Sequence, residues 1–295
     1  MDNKNEMYHS ANINWYPGHM AKTRRMLEEN IKLVDAVVEI LDARIPLSSR
    51  NPHFDDIVAS KPRLIILNKS DLADDSKTEK WLAFYKKNGI NALCVSCQTG
   101  KGLNRIVPKI FELAKDKIDK YAQKGIKKSI KVMIIGIPNV GKSTLINRIV
   151  GKSTAKTGDR PGVTLSKQWI RIKDGLELLD TPGILPPKLE DQEVALKLAY
   201  TGAIKDEIME TELICYSLLE NLANYYPELL IKRYNITEIQ GLKGYELLEK
   251  IGRKRGCLIS GGEVDMTRAS NIVLDDFRSL KIGRITLDFA EEHNA

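Results

Sequence analysis

No run of about 18 apolar residues occurs anywhere in the 295 residues, which excludes a transmembrane helix on hydropathy grounds. Basic amphipathic anchors and lipidation signals are lacking too, so attachment to a membrane surface is not expected. Cysteine is scarce, with four in all. Cys94 and Cys97 have C-x-x-C spacing, but Cys215 and Cys257 stand alone, so no second pair completes a zinc site and no disulfide framework is implied. Reduced thiols in a cytoplasmic protein are the expectation. The opening segment, Met1 to Met7, has neither the apolar stretch of a secretory signal nor the Arg-rich, acid-poor look of a transit peptide. Residues 1–14 are expected to be disordered. Internal repeats are not evident.

What is present suffices for two cores. The net charge of +7 is unevenly spread. Residues 1–188 hold 33 Lys and Arg against 20 Asp and Glu, or +13, while residues 189–295 hold 13 against 19, or −6. A polyanion-facing surface is therefore expected on the first part, around Lys22, Arg24, Arg25, Arg44, Arg50 and the seven lysines of 115–131. For 115–131 a simple solvated helix face explains the lysines as well.

Gly136-Ile-Pro-Asn-Val-Gly141-Lys142-Ser143 has the G-x-x-x-x-G-K-[ST] form of a loop that wraps a nucleotide's phosphates. It follows the apolar run Val132–Ile135 and precedes a helical stretch, the context that the motif needs. Glycines let backbone N–H groups approach the anion, Lys142 supplies a point charge, and Ser143 offers a hydroxyl ligand to Mg²⁺. Asn139, Val140, Gly141, Lys142, Ser143 and Thr144 are the expected phosphate contacts. Asn68-Lys69-Ser70-Asp71, after the strand-like Arg63–Leu67, has the form N-K-x-D. Asp71 can accept from the N1–H and exocyclic amine of guanine; adenine offers no such pair, and a buried carboxylate would be left alone. GTP is thus favoured over ATP. Val95-Ser96-Cys97-Gln98-Thr99-Gly100 can give backbone N–H groups to the guanine carbonyl oxygen, which makes Ser96 and Cys97 candidates, although an ordinary strand-to-helix turn reads the same way.

Asp180-Thr-Pro-Gly183 follows Leu176–Leu179. Asp180 would reach Mg²⁺ through water, and Gly183 would sense the γ-phosphate through its N–H. Thr164 is the expected second hydroxyl ligand. The order along the chain is base, base, phosphate, switch, switch, whereas ordinary small GTPases begin with the phosphate loop. A parallel α/β sheet tolerates such a permutation if its original termini are close and a linker joins them; 115–131 is the candidate linker. Five apolar runs, Val34–Leu41, Arg63–Leu67, Ala92–Val95, Val132–Ile135 and Leu176–Leu179, alternate with helical stretches such as Lys77–Lys87 and Leu103–Tyr121, and Lys167–Lys173 alternates like an edge strand. The two acids of Val34–Leu41 are expected toward the ends of apolar stretches. Beyond Pro186-Pro187 the strand signal fades. Ala269, Ile272, Val273, Phe277 and Leu280 fall on one face at helical spacing. The expected architecture is a circularly permuted P-loop GTPase domain over 15–186, a doubly wound and mostly parallel sheet, followed by a small all-helical domain over 187–290.

With these motifs, and with Trp15-Tyr-Pro-Gly-His19-Met-Ala-Lys22, Asp42-Ala-Arg-Ile-Pro46 and Gly256-Cys-Leu-Ile-Ser-Gly-Gly262, the chain resembles the ribosome biogenesis GTPase A family from Trp15 to about Phe289. The resemblance implies a GTP-hydrolysing factor that binds the immature large (50S) ribosomal subunit, through 23S rRNA and ribosomal proteins, acts late in its maturation and leaves on hydrolysis. It needs Mg²⁺ and is expected to be a monomer. Ile184 occupies the place where Ras-like enzymes put a water-orienting glutamine, so turnover alone should be slow. Three helpers are open. His19 matches the family's proposed catalytic histidine and could orient or deprotonate the water, or instead contact RNA or cap the Lys22 helix. Asn139 could hold a K⁺ ion, and the ribosome could order the loops. The rival class is a nucleotide-gated RNA-binding or docking module in which hydrolysis is incidental.

Overall fold

The computed structural model describes residues 20–126, 128–151, 168–172, 175–185, 191–204 and 210–293. The described residues divide into two compact units: those of 20–185 together with 288–293, and those of 191–287. The division falls close to Pro187, but residues 288–290 go with the sheet rather than with the helices.

The first unit is a six-stranded sheet in the order β3-β2-β1-β4-β6-β5. Its strands are β1 (Ala36–Asp42), β2 (Arg63–Asn68), β3 (Asn91–Cys94), β4 (Ile130–Ile135), β5 (Gln168–Ile172) and β6 (Leu176–Asp180). All pairings are parallel except β5 with β6. Counting from the phosphate strand β4 instead, the same sheet reads 6-5-4-1-3-2, so the permutation moves the chain ends and leaves the arrangement of strands untouched. α1 (Met20–Asn30) precedes them, and between them run α2 (His53–Val58), α3 (Asp75–Lys87), α4 (Ile106–Leu113), α5 (Lys115–Gln123) and α6 (Lys142–Val150).

The central strands are near-continuous apolar runs because helices cover parallel sheets. Val37 belongs to a core cluster with Leu27, Phe54, Met133, Leu179 and Ile184, and Leu41 to another with Ile65, Trp81, Tyr85 and Ala290. At period two, Glu39 lies between them on the same face. It is fully buried rather than set at the end of an apolar stretch, and Arg63 of the neighbouring strand supplies its counter-charge. Burial raises the Glu39 carboxyl pKa and Arg63 opposes that shift.

The 103–121 stretch, expected as one helix, is a 3₁₀ turn at Leu103–Arg105 followed by α4 and α5, which part at Ala114. Arg44 and Arg50 do not form a polyanion-facing surface. Arg44 is 2% exposed and forks onto Asp42, and Arg50 pairs with Asp55. Lys115, Lys120, Lys124 and Lys128 are exposed.

The second unit is helical: α7 (Gln192–Tyr200), α8 (Thr211–Tyr225), α9 (Pro227–Tyr234), α10 (Gly244–Arg255) and α11 (Met266–Arg278). Asp191 and Asp265 cap α7 and α11 by accepting backbone N–H groups. Ala269, Val273 and Phe277 face its core as the spacing implies. Leu280 does not: it follows the end of α11 at φ +67° and is 39% exposed. Arg233 clamps buried Asp276 with two bonds of 2.9 Å, tying α9 to α11. No helix among the described residues is long and apolar enough to cross a membrane.

Candidate functional site

Strand register brings the motifs to one edge. Asp42 pairs with Asn68, Leu67 with Cys94, and Ile134 with Asp180, so the loops after β1, β2, β3, β4 and β6 all leave from the carboxyl ends of the strands. Open α/β sheets take their ligands at that edge, where the strand order reverses.

Asn68 fastens the two halves of the site together. Its Nδ2 donates to the Val140 carbonyl at 2.7 Å, in the phosphate loop, and its Oδ1 accepts from the Cys97 N–H at 3.1 Å, in the loop after β3. The three segments therefore converge, although 72 positions separate Asn68 from Val140. Gly141 stands at φ +97° as the cap of α6, and a Cβ there would run into the Asn68 side-chain amide. The Ser70 N–H donates to the Val95 carbonyl at 3.1 Å, which sets the turn that presents Asp71. Asp71 Oδ1 and Ser70 Oγ are buried and have no hydrogen-bond partner among the described residues. A buried carboxylate oxygen with nothing to accept from is costly unless a ligand supplies the donor.

Ser96 is fully buried and organises its loop: its Oγ accepts from the Thr99 N–H and its carbonyl from the Gly100 N–H. Cys97 is buried, and that burial pushes its thiol up to about 12, which leaves it a small apolar group rather than a nucleophile. Lys69, at φ +60°, turns its ammonium to Asp42 at 3.0 Å. Burial would raise the Asp42 carboxyl, yet Arg44 and Lys69 outweigh it and hold the group well below the usual range. Asp42 and its Lys69 contact carry a positional role that the motif reading missed; an acid at the C-terminal end of a buried strand was the available signal.

On the phosphate side, Lys142 is 6% exposed and donates to the Ile137 carbonyl at 2.7 Å, across its own loop. Burial brings its ammonium down to about 8, with Asp180 partly opposing. Ser143 Oγ donates to Asp180 Oδ2 at 3.2 Å. Asp180 Oδ1 is buried without a partner among the described residues, and burial raises this carboxyl's pKa. A hydroxyl and an orphaned carboxylate oxygen beside a loop for polyanions suit a hard divalent cation such as Mg²⁺, which keeps several waters and needs few protein ligands. No cluster of three or more His, Cys, Asp or Glu among the described residues makes an all-protein metal cage. Gly183 lies against this loop so closely that a Cβ would stand 2.6 Å from Pro138 N and 2.9 Å from Lys142 Nζ. Ile184 next to it is 6% exposed, and its N–H donates to the Gly136 carbonyl. Asn139 sits at φ +60° and Thr144 in the first turn of α6. His19 and Thr164 lie outside the described residues.

The arrangement offers an anion cradle, a cation position and, joined to them through Asn68, an acceptor for a base. Comparison with known proteins agrees. The family model described as "50S ribosome-binding GTPase" matches residues 131–237. Ribosome biogenesis GTPase A of Priestia megaterium is 52% identical over 95% of this chain and 98% of that protein. Its counterpart in Bacillus cereus is 50% identical over 95% of each. A solved structure of GNP-bound YlqF from T. maritima superposes with a TM-score of 0.64 at 28% identity, over 92% of this chain and 99% of that one. Motifs, topology and these relatives agree that the chain belongs to the ribosome biogenesis GTPase A family and is a GTPase.

Proposed function

We propose that this GTPase binds the immature large ribosomal subunit in its GTP state, promotes a late maturation step and is released on hydrolysis, acting as a monomer in the cytoplasm. The relatives' names and the matched family's description support the ribosomal target. The observation that carries the nucleotide part is Asn68, which joins the base segment to the phosphate segment by two hydrogen bonds. In this reading Asp71 accepts from the guanine N1–H and amine, and backbone N–H groups of Ser96 and Cys97 meet the base carbonyl. Lys69 packs along the base with its head held by Asp42. Residues 139–144 surround the phosphates, Lys142 neutralises the β/γ oxygens, and the Gly183 N–H meets the γ-phosphate. Mg²⁺, when bound, supplies countercharge to the phosphates, and Ser143, Thr164 and, through water, Asp180 would hold it.

Hydrolysis needs a water aligned with the γ-phosphorus. Ile184 contributes nothing there, because its side chain is packed with Leu27, Phe54 and Leu179. We assign the alignment to His19, by the family resemblance, with the ribosomal particle ordering the loops; external activators of this kind give about 10³–10⁵ in rate. Asn139 is the proposed ligand for an accelerating K⁺ ion. Exposed Arg25 and the lysines of α5 would face rRNA. Because Gly183 is followed within a few residues by the helical unit, loss of the γ-phosphate would be transmitted to that unit.

The test is co-sedimentation with immature large subunits at several salt concentrations, paired with single-turnover hydrolysis. Binding with a non-hydrolysable GTP analogue, release with GDP, and a stimulated rate that collapses in His19→Ala are expected. Equal co-sedimentation in both nucleotide states would show a docking module in which hydrolysis is incidental.

A further inference from the structure

We infer that Asp288 is a positioning residue for the guanine base, acting through the 42–50 loop, and that it links base binding to the end of the helical unit. Asp288 is 2% exposed. Its Oδ2 accepts from the backbone N–H groups of Leu47 at 2.8 Å and Ser48 at 2.7 Å, and its Oδ1 from Ser48 Oγ at 2.9 Å. Ionised acceptors make the stronger hydrogen bonds, so one carboxylate fixes two successive N–H groups and a hydroxyl of a turn 240 positions upstream.

That turn is what holds the base motif. The neighbouring Ser49 Oγ accepts from the Asp42 N–H at 3.0 Å, and Asp42 in turn anchors the Lys69 ammonium. The Ala43 N–H donates to the Asn68 carbonyl at 2.8 Å. Both leading residues of the base motif therefore rest on the 42–50 loop. Asp288 also reaches the element on the far side of the motif: its carbonyl accepts from Trp81 Nε1 of α3 at 3.0 Å, and the Lys77 ammonium lies 4.5 Å from the centre of the Phe289 ring. The segment starting at 288 thus braces the base loop from before and behind. Leu287, one residue earlier, ends the helical unit. The helical unit is therefore joined covalently to the nucleotide domain twice, after the γ-phosphate element and beside the base loop.

This inference rests on the assignment of Asp71 as the guanine reader. The test compares GDP with IDP, which lacks the exocyclic amine, in wild type, Asp288→Ala, Ser48→Ala and Asp71→Asn full-length proteins, with folding checked by circular dichroism. Asp288→Ala is expected to bind GDP about tenfold more weakly, within the usual span of site-to-site coupling. Its GDP-over-IDP preference should shrink and its KM for GTP rise while kcat is retained, and Ser48→Ala should show a smaller change in the same direction. A folded Asp288→Ala protein with the wild-type preference overturns the inference. If Asp288→Ala does not fold, amide exchange in the wild type decides: GDP should slow exchange at Leu47 and Ser48, and no slowing overturns the inference. Asp71→Asn separates the two claims. Loss of preference there beside an unchanged Asp288→Ala sinks this inference alone; an unchanged Asp71→Asn sinks the base-site reading and this inference with it.

Discussion

Asn68→Ala removes a side chain that bonds both the phosphate loop and the loop after β3, and its cost can be worked from two contacts. The bonds to Val140 O (2.7 Å) and from Cys97 N (3.1 Å) are buried, and each is worth about 1 kcal/mol net. Truncation also leaves the Cys97 N–H without its acceptor in a buried loop, a further penalty of about 1–3 kcal/mol. The total is about 3–5 kcal/mol, divided between stability and binding. If about 2 kcal/mol of it is the work of holding the loops in register for the ligand, GDP affinity falls by about 30-fold. Titration calorimetry with GDP measures the binding share and a thermal melt the stability share. GDP affinity within about twofold of wild type, beside a lowered melt, would refute the claim that Asn68 organises the site; it would then be a packing residue only.

Lys142 gives a pH prediction. With its free-state value near 8 and bound phosphates favouring the charged form, nucleotide binding should take up more than half a proton at pH 8.5 and little at pH 7, so affinity falls as pH rises through 8. Calorimetry in buffers of different ionisation enthalpy reads that uptake. The free protein shows the complementary sign: burying a lysine whose charge is disfavoured costs stability at neutral pH, and that cost lifts as pH rises from about 8 toward the ordinary 10.5. Ile184→Gln should not raise the intrinsic hydrolysis rate, because position 184 is packed in the core; it should instead cost about 2–4 kcal/mol in a denaturant melt. Gly183→Ala should lose the preference for a GTP analogue over GDP in competition binding, since its Cβ would displace Pro138 or the Lys142 ammonium. Replacing K⁺ by Na⁺ should slow single-turnover hydrolysis, and no change would remove the role given to Asn139.

The parts of this molecule legible in the sequence are those whose chemistry is local. The apolar runs before Gly136, Asn68 and Asp180 announce buried parallel strands, and 167–173 alternates because β5 is an antiparallel edge. Motif order alone disclosed the permutation. Pairings between distant segments were not legible. Glu39 is tolerable at the centre of β1 only because Arg63 stands on the next strand, and nothing near Glu39 says so. Arg44 looked like surface charge, yet Asp42 two residues earlier folds it inward. Asp288 looked like the end of a helical domain, and its acceptors lie in the turn at Leu47 and Ser48. The helix break at Ala114 has no marker in composition. Thr164 and His19 remain assignments from motif order and resemblance.

The central claim is that segments from Asn68 to Gly183, met in permuted order, enclose a single guanine nucleotide. Calorimetric titration of the pure protein with GTP and with ATP, in magnesium buffer, tests it most directly. One GTP per chain with no detectable ATP binding is the predicted result; absence of GTP binding, or ATP bound equally well, would contradict it.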